Sequence, residues 1–161
     1  MSIYKQGKVE IRNSVVHDIC HLKDNLRKSD VDEIVASCNG TPEDMLMTGY
    51  AVSEICFTVV YESTPVAMFG VDKASSKDGM GIVWLLGTED ISKMWVTFLR
   101  LSRPIVREMA WMAGTDLHNY IDARNTSTIE WLKWCGAQFE DAEPYGVMGL
   151  PFHHFILKGG E

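Results

Sequence analysis

The 161-residue sequence holds only four cysteines, Cys20, Cys38, Cys56 and Cys135, and no two of them form a C-x-x-C pair. That spacing excludes a zinc knuckle and a dithiol redox motif, and the four read as free, mostly buried thiols. Basic residues are also scarce, with 15 Lys and Arg against 22 Asp and Glu for a net charge of −7. Binding through phosphate contacts is therefore disfavoured, and nucleic acid is not an expected partner. No apolar run approaches the roughly 18 residues needed to span a bilayer, and the opening MSIYKQGKVEIRNS lacks the basic-then-apolar character of a leader. The expected setting is a reducing cytoplasm, or a particle assembled there. No G-x-S-x-G elbow occurs, so a Ser-His-Asp hydrolase has no anchor.

What is present suits a globular chain: 46% hydrophobic and 23% charged residues, with no internal repeat or linker. Residues 1–161 are expected to form one domain that buries roughly 70% of the surface its unfolded form exposes.

A strand is expected at 8–12, after which Asn13 or Ser14 caps a helix carrying Val15, Ile19, Leu22 and Leu26 at helical spacing. A second helix near 29–38 starts at Ser29 or Asp30 and stops at Asn39-Gly40, and Thr41-Pro42 opens a third. From Ile55 the period becomes 2, giving strands at 55–61 and 66–71 around a Glu62-Ser63-Thr64-Pro65 turn, then a polar, glycine-bearing stretch at 75–81. The nearly all-apolar run at 82–86 predicts a strand buried on both faces in mid-sheet. A long helical segment runs from Ile91 to Gly114, with Pro104 expected to kink or split it. A strand at 117–121, a helix at 126–134 ended by Cys135-Gly136, and a strand at 152–157 complete the pattern.

Three constellations invite chemistry. His17, Cys20 and His21 share one helical face, but no fourth ligand is identifiable, so surface histidines and no metal site are expected. His153 and His154 are strand neighbours facing opposite sides and cannot act as a pair, although one alone is a candidate base. Met94, Trp95, Met109, Trp111, Met112, Trp131 and Trp134 are mostly core by this reading, and any that are exposed would mark an interface.

The stretch YIDARNTSTIEWLKWCGAQF at 120–139 resembles the C-terminal half of the GNAT N-acetyltransferase fold, where a strand ends in Asn, a short helix follows, and a glycine and an aromatic residue lead into the next strand. With the strands and long helix before it, the similarity covers most of the chain from Ile55 onward. A closer resemblance is to the GNAT-like proteins of tailed bacteriophages, a group that includes the internal virion protein of short-tailed phages. It is carried by the Trp84-bearing strand, the Asn125-Thr126-Ser127-Thr128-Ile129 helix start, Trp131-Leu132-Lys133, and the tail from Tyr145 to Phe155.

The resemblance implies an α+β fold, with a mixed, mostly antiparallel sheet flanked by helices. It also implies an acetyl-CoA site along Val83, Trp84, Leu85 and Leu86, with Asn125 placed to contact the pantetheine arm or, as readily, to cap its helix. The family's phosphate loop, Arg/Gln-x-x-Gly-x-Gly/Ala, falls at residues 86–93, where this chain has one glycine, Gly87, no preceding arginine, and two carboxylates, Glu89 and Asp90. Those charges suit a helix start better than a diphosphate. The tyrosine that many active members carry seven residues after the Asn is here Leu132, which cannot donate a proton.

The leading expectation is therefore a phage-encoded GNAT-fold protein with a degraded CoA site and no cofactor. It would act as an accessory virion, assembly or ejection component through a phage or host protein, or through oligomer or virion contacts, in the host bacterial cytoplasm and the virion. The alternative is an active acetyl-CoA-dependent N-acyltransferase modifying a host or phage amine. For that reading Glu54, Glu62 and His154 are candidate bases, and no catalytic residue is assigned.

Overall fold

A computed structural model describes residues 2–74 and 78–160; of the polar stretch expected at 75–81, residues 75–77 lie outside the described residues. The chain opens with a hairpin of β1 (Ser2–Gln6) and β2 (Val9–Asn13) turning through Gly7. Only β2 is legible in the sequence. It buries Val9 and Ile11, whereas β1 lies almost wholly exposed and so carries no apolar signature.

The first helix is shorter than its spacing suggests. α1 covers only Asp18–Leu22, and Val15 and Val16 are exposed. Ser14 caps nothing and instead hydrogen-bonds Thr58 at 2.8 Å. The cause is Asp18, which is buried and accepts bonds from Arg12 at 2.8 and 2.9 Å, from the Val15 N–H and from the Thr58 hydroxyl. Burial pushes its carboxyl up, but Arg12, Val15 and Thr58 together outweigh that and hold it below the ordinary value. This network fixes 12–18 as a folded-back segment.

α2 (Lys28–Cys38) ends on Asn39 in the left-handed region, and α3 (Pro42–Val52) starts under Thr41, whose hydroxyl accepts the Asp44 N–H at 3.1 Å. β3 (Ile55–Tyr61) and β4 (Thr64–Asp72) form an antiparallel hairpin whose turn is Glu62-Ser63, both with positive φ. Thr64 and Pro65 belong to β4, and Pro65 is accommodated at a register irregularity between Val59 and Val60.

β5 (Gly81–Gly87) leads into a 3₁₀ helix (Glu89–Met94) and then α4 (Trp95–Ala113). The break falls at Met94, whose backbone leaves the helical region, and not at Pro104, which sits inside a continuous helix. Pro104 and Arg100, the residue whose carbonyl it leaves without a donor, are both exposed, so that carbonyl faces water. β6 (Leu117–Asp122), α5 (Thr126–Trp134), β7 (Gln138–Phe139), β8 (Glu143–Tyr145) and β9 (Leu150–Leu157) follow.

The described residues form a nine-stranded sheet in the order β1-β2-β3-β4-β5-β6-β9-β7, with β8 also paired to β9. Every pairing is antiparallel except β5 with β6. One core joins Ile11, Val59, Phe69 and Val71 of the sheet to Met109 and Ala113 of α4 and Leu132 of α5; a second packs Ile19, Leu22 and Leu46 of the early helices against Met68. Each of these side chains larger than Ala113 contributes about 1.5–3 kcal/mol by leaving water. Gly49 lets α3 lie on the sheet, since a Cβ there would meet the Trp84 ring at 2.6 Å. None of the four thiols is buried: Cys20 and Cys38 are exposed, and Cys56 and Cys135 are half-covered.

Candidate functional site

β5 and β6 pair only at Gly81↔Leu117 and Ile82↔His118, and beyond those positions the two strands part. A cavity of about 390 Å³ occupies the opening, lined by Val83, Trp84, Leu85 and Leu86 of β5, Tyr120 of β6, and Asn125, Thr128 and Leu132 around α5. Residues 82–86 are therefore half-buried, not buried on both faces. Their apolar character serves a cleft wall, because the neighbour that would cover them has moved away. Val83 and Leu85 pack toward the larger core and Trp84 and Leu86 toward the smaller one, where the Trp84 indole N–H donates to Ser53 Oγ at 2.8 Å.

The polar groups along this cleft divide into two sets. One set is tied off by the chain itself. Asn119 bridges the parted strands, its Nδ2 donating to the Val83 carbonyl at 2.7 Å and its Oδ1 accepting the Tyr120 N–H at 2.8 Å. The Asp122 N–H donates to Glu33 of α2 at 2.8 Å, and the Gly87 N–H donates to Asp30 at 2.9 Å. Asp30, read from sequence as a helix start, is instead buried within the first turn of α2, held by Arg27 at 3.0 Å. The Arg27 N–H closes the same loop by donating to the Gly87 carbonyl at 2.9 Å. Farther along, the Thr88 N–H donates to Val66, the Asp90 N–H to Thr88 Oγ1 and the Ile91 N–H to the Thr88 carbonyl.

The other set is open. Asn125 stands at the cap position of α5, yet its side chain makes no capping bond. It is only 7% exposed, and both its Nδ2 and Oδ1, together with Thr128 Oγ1, lack hydrogen-bond partners among the described residues. Capping therefore does not explain this Asn.

The charged groups lining the cleft are the carboxylates of Asp30, Glu33 and Asp72 and the guanidinium of Arg27. Burial pushes the Asp30 carboxyl up against the opposing pull of Arg27 and the Gly87 N–H. Burial also raises Glu33, to about 7, with the Asp122 N–H opposing and the charges of Asp30 and Asp122 adding to the rise. The sequence reading missed Glu33, because a mid-helix Glu carries no signal of what its helix faces. Of the bases it did raise, Glu54 accepts the Lys73 N–H, Glu62 pairs with Lys8 in an exposed turn, and His154 shares a 2.9 Å hydrogen bond with His118 and lies 3.2 Å from Glu140. None of the three lines the cavity. His118, also missed, is held below the ordinary imidazole value by burial and by His154. His153 points the other way and bonds the Glu140 carbonyl at 2.8 Å. His17 and Cys20 are exposed, and among the described residues no group of three or more His, Cys, Asp or Glu is placed to hold a metal ion.

The distinctive tail closes one end of the cleft. Tyr145 stacks on Tyr120 with ring centroids 4.2 Å apart, and Val147 and Met148 donate their N–H groups to the Ser37 and Ala36 carbonyls at the end of α2. Gly146 makes this approach feasible, having φ +74° and no room for a Cβ against Ser37.

A mostly antiparallel sheet that parts beside one parallel neighbour, with helices on both faces, is the GNAT acetyltransferase fold. The solved structures similar to this chain agree. Ard1 of Thermoplasma volcanium matches with a TM-score of 0.74 at 14% identity over 96% of this chain and 100% of that one. YncA, a putative acetyltransferase of Salmonella typhimurium solved with its cofactor acetyl-CoA, matches at 0.66 and 12% over 96% of each chain. A GNAT-family acetyltransferase of Streptococcus pneumoniae matches at 0.64 and 14% over 94% of this chain and 99% of that one. Likeness at such identities defines the fold alone. No family profile matches the sequence, and no curated protein matches it.

Against the cofactor of this fold the cleft divides as its polar groups do. Asn125 and Thr128 fit the amides of a pantetheine chain. The 87–91 loop fits a diphosphate poorly, since the Gly87, Thr88, Asp90 and Ile91 N–H groups already have acceptors and Asp30, Glu89 and Asp90 bring negative charge to the same place.

Proposed function

We propose that this chain, as one domain, is a GNAT-fold protein with a degraded CoA site that works through protein contacts. The observation that carries this reading is the closed loop after β5, where Asp30, Val66 and Thr88 accept the N–H groups that a diphosphate would need. Leu132, in place of a proton-donating tyrosine, adds to it. Exposed aromatic and apolar side chains on α4 and α5 support the contact role: Trp111 is 77% and Val96 78% exposed, and Trp95 and Trp134 are both exposed. The resemblance to GNAT-like phage proteins makes an accessory virion, assembly or ejection component, met in the host cytoplasm and the particle, the setting we favour. No helix of the described residues is long and apolar enough to cross a membrane. Calorimetry with acetyl-CoA tests the degraded site: we expect no saturable heat at micromolar ligand, and micromolar binding that weakens in Asn125→Ala would refute it. Mass spectrometry of purified particles tests the setting, and absence of the protein from them would count against a virion part.

The orphaned amide of Asn125 favours a second reading, an acetyl-CoA-dependent N-acyltransferase acting on a host or phage amine. In that case Val83, Trp84, Leu85 and Leu86 would line the cofactor, Asn125 would hold its arm, and Glu33 would take the proton of the incoming amine. Its proton affinity near neutrality suits that task.

A further inference from the structure

The chain holds six arginines, and they fall into two kinds. Arg12, Arg27 and Arg124 each pair with a buried aspartate, Asp18, Asp30 and Asp122 in turn. Arg100, Arg103 and Arg107 all lie on α4, are exposed, and make no ion pair among the described residues. Arg100 reaches the Tyr4 hydroxyl at 3.4 Å, and Arg103 donates to the Trp134 carbonyl at 2.7 Å with its guanidinium 3.8 Å over the Trp134 ring. A guanidinium fork matches a carboxylate, and these three have none.

Their spacing sets them in one row. Val96, Arg100, Arg103, Arg107 and Trp111 recur at i, i+4, i+7, i+11 and i+15, a single stripe down the solvent side of α4. Val96 and Trp111, at its two ends, are the most exposed large apolar side chains among the described residues. At 1.5 Å per residue the stripe is about 22 Å long. Glu108 is the one carboxylate of α4 and, as the immediate neighbour of Arg107, does not face it. An ordinary solvated helix face mixes both signs, as Glu130 and Lys133 do on α5. Arginine and tryptophan without lysine is instead the composition of a protein interface.

The surroundings select the kind of anion. The chain carries a net charge of −7, so a nucleic acid strand or an anionic bilayer, extending past the stripe, would be repelled by the rest of the surface. A second copy related by a two-fold axis would set arginine against arginine. A short acidic helix, with the same rise as α4, keeps its carboxylates in step with the three arginines and ends where they end.

We propose that the solvent face of α4 docks an acidic amphipathic helix of a partner protein, its carboxylates on Arg100, Arg103 and Arg107 and its apolar side chains against Val96 and Trp111. The assignment rests on the contact role proposed above and names the chemistry of the partner.

The test is a selection on the full chain from a library of random peptides about 16 residues long, counter-selected on the double variant Arg100→Glu, Arg107→Glu, which leaves the Arg103 contact with Trp134 in place. Peptides retained by the parent alone should carry Asp or Glu at helical spacing between apolar residues. A peptide of that consensus should weaken at least about tenfold in the double variant and in Trp111→Ala, and weaken again as salt rises. Thermal melting should match the parent in both variants, and Arg100→Gln, Arg107→Gln gives the same loss without new charge. No acidic enrichment, or equal retention by the double variant, would overturn the proposal. So would tighter binding of oligo(dT) or of phosphatidylserine vesicles than of the consensus peptide, which would give the face to nucleic acid or membrane. A failed selection leaves the closed 87–91 loop standing, and acetyl-CoA binding in calorimetry would remove the degraded site while leaving this face.

Discussion

The two ends of one cleft differ in who answers their polar groups. After β5, Asp30 and Arg27 reach over from α2 and its approach to satisfy Gly87, so the chain supplies its own anion. At the start of α5, Asn125 and Thr128 are buried beside the same cavity and nothing in the described chain answers them. The difference teaches that neighbouring stretches of one cleft can be satisfied from within the chain at one end and left open at the other. A buried carboxylate is costly unless paired, so Asp30 belongs to the architecture of the closed end.

Substitutions at the two ends should therefore diverge. The largest effect is expected from Asp30→Ala, which strands Arg27 and leaves the Gly87 N–H without an acceptor: about 3 kcal/mol lost in urea unfolding. A loss below about 1 kcal/mol would break the comparison. Glu33→Gln comes next, and its sign depends on pH. Burial raises the Glu33 carboxyl from 4.5 to about 7, so the folded state holds a proton that the unfolded state releases, and stability falls as pH climbs through that window. Gln removes this penalty, and the variant should gain on the order of 2 kcal/mol relative to the parent at pH 8, and little at pH 4. An equal effect at both pH values would contradict the assignment. Asn119→Ala, which removes the bridge between Val83 and Tyr120, should cost about 1–2 kcal/mol. The open end should go the other way: Asn125→Ala loses no bond and removes two buried unpaired polar atoms, so it should not destabilise the fold. A cost as large as that at Asn119 would mean that Asn125 is structural after all.

The parts legible in the sequence are those whose signals are local. The period-2 run of β3, the Asn39 stop of α2, the Thr41-Pro42 start of α3 and the Gly114 end of α4 appear where their residues predict them. The failures come from tertiary causes. Asp18 shortens α1 through Arg12 and Thr58, neither of which belongs to that helix. β7 and β8, of two and three residues, are too short to show a period. An apolar run such as 82–86 looks the same whether its neighbour covers it or has parted from it, so its burial was misjudged. Asp30 and Arg27 read as an ordinary pair at i and i+3, and only the approach of Gly87, 57 residues away, gives them meaning. Glu89 and Asp90 are the carboxylates legible at this loop, but the one that accepts the Gly87 N–H is Asp30.

The closed loop is tested most directly at the Gly87 amide itself, by following its backbone resonance as acetyl-CoA is added to the labelled protein up to millimolar concentration. If Asp30 holds that N–H, the Gly87, Thr88 and Asp90 amides stay in place throughout. A saturable shift of these three at micromolar acetyl-CoA would show a working diphosphate seat and contradict the account.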